Sequence, residues 1–139
     1  MRVVIDVNIL VSALIVPTGQ PAAVIKMWLD GKFTLLTCAT HVDELRATLH
    51  NPRVAELIKP YMAGCRLVNQ LRKLAEDVDP LPPIERSPDP DPDDDYLLAL
   101  SEAGKANYLV TGDKNGLLDL DTHKGAQIIS ARGFAALFV

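Results

Sequence analysis

Cysteine is nearly absent: Cys38 and Cys65 are the only two. Their separation matches no metal-binding or redox motif, and buried reduced thiols are expected rather than a disulfide. A basic excess is missing too, since 14 Lys and Arg against 18 Asp and Glu leave a net charge of −4. A protein that held nucleic acid by charge attraction alone would be basic. Any nucleic-acid role therefore needs a local basic patch, or cations bound in an acidic pocket. No apolar run reaches the roughly 20 residues of a membrane span. Met1-Arg2 ahead of Ile9–Val16 loosely resembles a signal peptide. Asp6 and Asn8 interrupt it, however, and Pro17 follows with no small-residue cleavage site, so a cytoplasmic protein is expected. There is no glycine-rich phosphate loop and no Ser-His-Asp or Cys-His arrangement. His41, His50 and His123 are not spaced as metal ligands and read as surface residues.

What is present is an ordinary globular mixture, 48% apolar and 23% charged over 139 residues. That is enough chain for one domain with a substantial core, expected to span residues 1–139. Val3-Val4-Ile5 is a β-branched run suited to a buried parallel strand, with a short helix over Asn8–Ile15 after it. Ala22–Asp30 reads as a helix closed by Gly31, and Phe33–Cys38 as a second strand. Thr40 with Asp43 forms a variant capping box opening the helix Val42–His50. Val54, Leu57, Ile58 and Tyr61 recur at helical spacing until Pro60 interferes, and Leu67–Ala75 carries a cleaner amphipathic stripe. Six prolines make Val78–Pro92 an extended connection. Asp95–Lys105 is helical in pattern, Tyr108–Thr111 and Gln127–Ser130 are strands, and a short helix ends at Phe138. Alternating strands and helices predict an α/β fold with a mostly parallel sheet covered on both faces.

In such sheets the ligand site lies beyond the carboxyl ends of the strands. That rule selects Asp6, at the end of the first strand, and Asp113, two residues beyond Tyr108–Thr111. Hard cations such as Mg²⁺ and Mn²⁺ prefer oxygen ligands, and acids from different segments could hold one or two of them. Asp6 carries the strongest signal, because a charge inside Val-Val-Ile-Asp-Val-Asn-Ile-Leu-Val is costly to bury without a partner. The simpler reading is a helix cap. Asn8 either orients such a cluster or shapes the turn. The run Asp89–Asp95 opens like a calcium loop, but Asp94 stands where that loop needs Gly and Leu100 where it needs Glu. Chemistry alone does not choose among Asp93, Asp94 and Asp95, some of which solvate the turn and complement the next helix. Asp113 also suits an Asx-turn. Glu44 lies off the apolar stripe Val42, Leu45, Leu49, so periodicity leaves it a solvated charge.

The opening Val3-Val4-Ile5-Asp6-Val7-Asn8-Ile9-Leu10-Val11-Ser12-Ala13 resembles that of PIN-domain nucleases. So does Asp91-Pro92-Asp93-Asp94-Asp95-Tyr96-Leu97-Leu98-Ala99-Leu100 running into Ala106-Asn107-Tyr108-Leu109-Val110-Thr111-Gly112-Asp113-Lys114. The likeness is strongest to the VapC-like toxin branch and covers essentially the whole chain. It implies a three-layer α/β/α PIN-like fold and a divalent-metal-dependent endoribonuclease, using Mg²⁺ or Mn²⁺ and a metal-activated water. By the resemblance the four acids fall on Asp6, Glu44, Asp95 and Asp113, with Asn8 and Thr111 in support. It thereby selects Asp95 and restores Glu44 as a site residue.

Two departures stand out. Val7 replaces a hydroxyl residue frequent between the first Asp and Asn, and Asn115 stands where many relatives carry another Asp. A neutral ligand at Asn115 weakens a second metal site. Arg46, Lys114 and Lys105 are candidates to position RNA phosphates, and each also reads as a surface charge. The resemblance further implies a homodimer and a cognate antitoxin, for which Val54–Met62 and Leu67–Ala75 offer apolar helices that core packing explains equally well. The rival reading is a PIN-like domain without catalysis, acting as an RNA- or protein-binding regulatory module. A phosphoacceptor receiver is more distant, since the Asp-rich turn is poorly placed for it.

Overall fold

A computed structural model describes residues 1–59, 62–82, 95–112 and 117–138. The chain enters through β1 (Arg2–Ile5), followed by helices α1 (Val7–Ile15) and α2 (Gln20–Leu29). Next come β2 (Thr34–Thr37), α3 (Ala39–Leu49), α4 (Pro52–Ala55), α5 (Ala63–Leu74) and the two-residue β3 (Glu76–Asp77). The second half runs α6 (Asp95–Ala103), β4 (Tyr108–Val110), α7 (Leu117–Leu120), β5 (Thr122–His123), β6 (Ala126–Ile129) and α8 (Ala131–Ala136). The strands form one sheet in the order β3-β2-β1-β4-β6-β5, parallel throughout except that β5 runs antiparallel to β6.

The period-2 pleat sends alternate residues to opposite faces, and two cores result. Val3, Ile5, Leu35 and Val110 pack against Leu10, Trp28, Leu71 and Phe134 from α1, α2, α5 and α8. Val4, Leu36, Leu109 and Ile128 pack against Leu97, Leu98, Leu100 and Leu117 from α6 and α7. Helices cover both faces, which is why β1 is uninterruptedly apolar and entirely inaccessible from Val3 to Ile5. This is the three-layer α/β/α arrangement expected. Val7 is buried among the first-face residues, so the side chain that replaces a hydroxyl serves the core.

Several local expectations are corrected. The α3 cap is not Thr40: the helix starts at Ala39 after Cys38, whose side chain makes no cap bond. Asp79, beyond β3, instead accepts from the Ala39 N–H at 2.8 Å. A distant acceptor does the work that a capping box would do locally. The apolar spacing around Val54 yields only one turn, Pro52–Ala55, capped by Asn51; its continuation through Pro60 and Tyr61 lies outside the described residues. Most of the proline-rich connection is outside them as well. Cys38 is buried as expected, but Cys65 is exposed. Periodicity also missed α7 and β5, which are too short to show a pattern.

Among the described residues no single helix is long and apolar enough to cross a membrane, and the apolar pair α1 and α2 is bent by 103°. Both of those helices contribute to the core.

Candidate metal centre and its relatives

Strand order reverses beside β1, because the chain leaves it for β2 on one side and returns through β4 on the other. A parallel sheet opens a crevice at such a switch point, outside the carboxyl ends of the two strands. Asp6 follows β1 there and Thr111 follows β4. The two are joined directly: the Thr111 hydroxyl donates to Asp6 Oδ2 at 2.8 Å. Thr111 is fully buried and Asp6 is 4% exposed. Backbone pairing holds them in register, with the Asp6 N–H donating to the Val110 carbonyl at 2.9 Å and the Thr111 N–H to Ile129 at 3.0 Å.

Asp6 is the helix cap that its sequence context allowed, and it is buried. It is the N-cap of α1, where Oδ1 accepts from the Asn8 N–H at 3.2 Å. It is also a buried carboxylate at the sheet edge. The cap and the Thr111 bond orient its two oxygens, and a carboxylate is the type of ligand that a hard cation takes. Asn8 meets Asp6 through its backbone, and its side chain is exposed.

Glu44 reaches the same neighbourhood by a route that periodicity could not show. It is half-buried on α3, and its Oε2 accepts a 2.6 Å hydrogen bond from the phenol of Tyr96 on α6. Burial pushes the Tyr96 phenol well above its ordinary range, helped by the hydrogen bond to Glu44 and by the charges of Glu44 and Asp6. Tyr96 is thus a donor within electrostatic reach of both carboxylates. Asp95 precedes it in the first turn of α6, where the helix dipole favours a negative charge. Asp113, Lys114 and Asn115 lie outside the described residues, as do Asp93 and Asp94.

The surface reading of His41 is wrong. The ring is wholly inaccessible, with Nε2 2.7 Å from the Ile5 carbonyl and Nδ1 2.9 Å from Thr37 Oγ1. A carbonyl only accepts, so Nε2 carries the proton and the Thr37 hydroxyl donates to Nδ1. Burial lowers the His41 pKa to about 4, with the Ile5 bond partly opposing. Both ring nitrogens are engaged, so His41 is a buttress for the end of β1 and not a ligand. His50 is exposed as expected, whereas His123 is partly buried beside Glu102 at 3.2 Å. Lys105 belongs to the opposite edge: it precedes β4, and neighbouring Gly104 accepts from Arg2 at the start of β1. It cannot serve phosphates near Asp6. Arg46 is exposed on α3, two residues after Glu44 and so on a different face of the helix.

The donors described near the switch point are carboxylate and hydroxyl oxygens, the chemistry that Mg²⁺ and Mn²⁺ prefer. Among the described residues no group of three His, Cys, Asp or Glu side chains is placed to hold an ion by itself. Mg²⁺ does not demand one, since it retains waters and takes only one or two carboxylates together with substrate phosphate.

The model of the PIN domain matches residues 2–115. The chain belongs to the PIN domain family. PIN domains are generally nucleases, and as nucleases they generally use divalent metals. The matched span of this PIN domain runs from the start of β1 through the segment after β4 and contains Asp6, Glu44, Asp95 and Asp113. No curated protein and no solved structure matches the chain.

Proposed function

We propose that this PIN domain is a Mg²⁺- or Mn²⁺-dependent endoribonuclease and the toxin component of a toxin–antitoxin pair. The observation that carries the reading is the buried Asp6 carboxylate, placed by the crossover between β1 and β4 and bonded to Thr111. Fold and family membership add their support. Asp6, Glu44, Asp95 and Asp113 would hold the ion, directly or through water. Bound there, it would polarise the phosphodiester, make water nucleophilic at neutral pH and offset the charge that develops during in-line displacement.

The chain's own residues do the arranging. Thr111 fixes one oxygen of Asp6, the α1 N-terminus fixes the other, and His41 holds the strand end that delivers them. An acidic protein can take up RNA at this site because bound cations reverse the local sign. Arg46 and Lys114 are the basic side chains we assign to RNA phosphates. A homodimer, a cognate antitoxin covering the site and a cytoplasmic location belong to the same proposal, as does a single dominant metal position given the neutral Asn115.

The test is cleavage of structured RNA by purified protein with Mn²⁺, set beside Asp6→Asn and beside a chelator control. Cleavage by the native protein alone supports the enzyme. Equal cleavage in all three samples would mean a contaminating nuclease and remove the claim. A neighbouring reading frame for a small basic or DNA-binding protein would support the toxin assignment.

A further inference from the structure

We propose that Tyr96 is a positioning residue of the metal site, its phenol holding the Glu44 carboxylate toward the edge where Asp6 lies; this rests on the metal-centre reading above. Glu44 needs such a tether. The fully buried residues of α3 are His41 and Leu45, and Glu44 is half-buried at the margin of that face. A glutamate in that position ordinarily samples several rotamers, and restricting them carries an entropy cost. The 2.6 Å bond to Tyr96 selects one orientation. Tyr96 is well suited to impose it, because an aromatic side chain has two torsions and its ring lies beside that of His41, with centroids 6.3 Å apart. It also packs against the second-face core.

The chemical identity of the tether matters as much as its position. A Lys or Arg would hold Glu44 equally well and cancel the charge that a cation needs. A phenol is a neutral donor, so it orients the carboxylate and leaves its charge intact. Among the described residues Tyr96 engages Oε2 alone, and Oε1 keeps its lone pairs toward them. Tyr96 also follows Asp95 directly, so the bond joins the helix bearing one acid to the helix bearing another. Hydrogen bonds behind ligating carboxylates typically contribute 10- to 100-fold in metal affinity or activity.

The experiment is Mn²⁺ titration of the full chain without RNA, by calorimetry and by electron paramagnetic resonance, at a temperature well below unfolding. The four proteins are the native chain, Tyr96→Phe, Glu44→Gln and the double variant. We expect Tyr96→Phe to weaken Mn²⁺ binding 10- to 100-fold, and the double variant to bind no more weakly than Glu44→Gln. RNA cleavage by Tyr96→Phe should recover as Mn²⁺ is raised. Native affinity in Tyr96→Phe, or an equal further loss in the Glu44→Gln background, overturns the proposal while the metal site stands. Absence of Mn²⁺ binding by the native chain removes the metal site and this inference with it. Should Tyr96→Phe fail to fold, Glu44→Gln alone must still weaken Mn²⁺ binding, and unchanged affinity there is equally fatal.

Discussion

Mild acid should destabilise this protein through one histidine. His41 is wholly buried and neutral, with Nε2 donating to Ile5 and Nδ1 accepting from Thr37. Its pKa of about 4 lies below the ordinary 6.5 because burial penalises the imidazolium. Between those values the unfolded chain binds a proton that the folded chain refuses, so unfolding becomes more favourable as pH falls. Above about pH 6.5 the stability is intact, and it is lost progressively toward pH 4. The gap corresponds, at about 1.4 kcal/mol per tenfold change in proton affinity, to a total of about 3 kcal/mol. Roughly 2 kcal/mol of that falls between pH 7 and pH 5, where carboxylates with ordinary values near 4 contribute little. Urea unfolding followed by the fluorescence of Trp28, the only tryptophan and 5% exposed, reads it directly. With a slope of about 2 kcal/mol/M the midpoint should drop by about 1 M across that window. His41→Gln, which can still donate to Ile5 and accept from Thr37, should be less stable at pH 7 but lose this pH slope. Parallel losses in the native chain and His41→Gln would refute the reasoning, because the proton would then be taken up elsewhere.

Other substitutions separate the fold from the site. Asp6→Asn keeps an oxygen for the α1 cap and an amide that can donate to the Thr111 hydroxyl, so it should still fold while abolishing metal-dependent cleavage; Asp6→Ala loses both the cap and the Thr111 bond and should cost about 2.5–4 kcal/mol. Thr111→Val removes a hydrogen bond to a buried carboxylate and should cost about 1.5–3 kcal/mol in chemical denaturation. Gly104→Ala would place a Cβ 2.6 Å from Leu36 Cδ1 and 3.1 Å from the Leu100 carbonyl, so a loss of about 1–3 kcal/mol is expected from overpacking. Phe134→Ala empties a fully buried site contacted by the rings of Phe33, Tyr108 and Phe138, and about 3–5 kcal/mol should be lost.

The architecture was readable because its signals are local and periodic. A β-branched run bounded by Asp6 marks β1, and the strand-end rule then points to Asp6 before any family is considered. The residues around those acids were illegible for a common reason, namely that their partners are distant in the chain. Tyr96 meets Glu44 across 52 residues, and Thr111 meets Asp6 across 105. No periodicity encodes such a contact. His41 looked like a surface residue because its neighbours Thr40 and Asp43 are polar; only the meeting of its ring with the end of β1 shows that it satisfies a backbone carbonyl. Asp79 replaced a local capping box in the same way. Position 65 failed differently: cysteine is commonly buried, but the buried positions of α5 are Gly64, Leu67, Val68 and Leu71, which turns Cys65 outward.

The account stands most directly on where a cation binds. A crystal soaked in Mn²⁺ and measured at the manganese absorption edge should show an anomalous peak against Asp6 at the carboxyl ends of β1 and β4, coordinated by oxygen alone. A peak elsewhere on the molecule, or none at a concentration that supports cleavage, would contradict it.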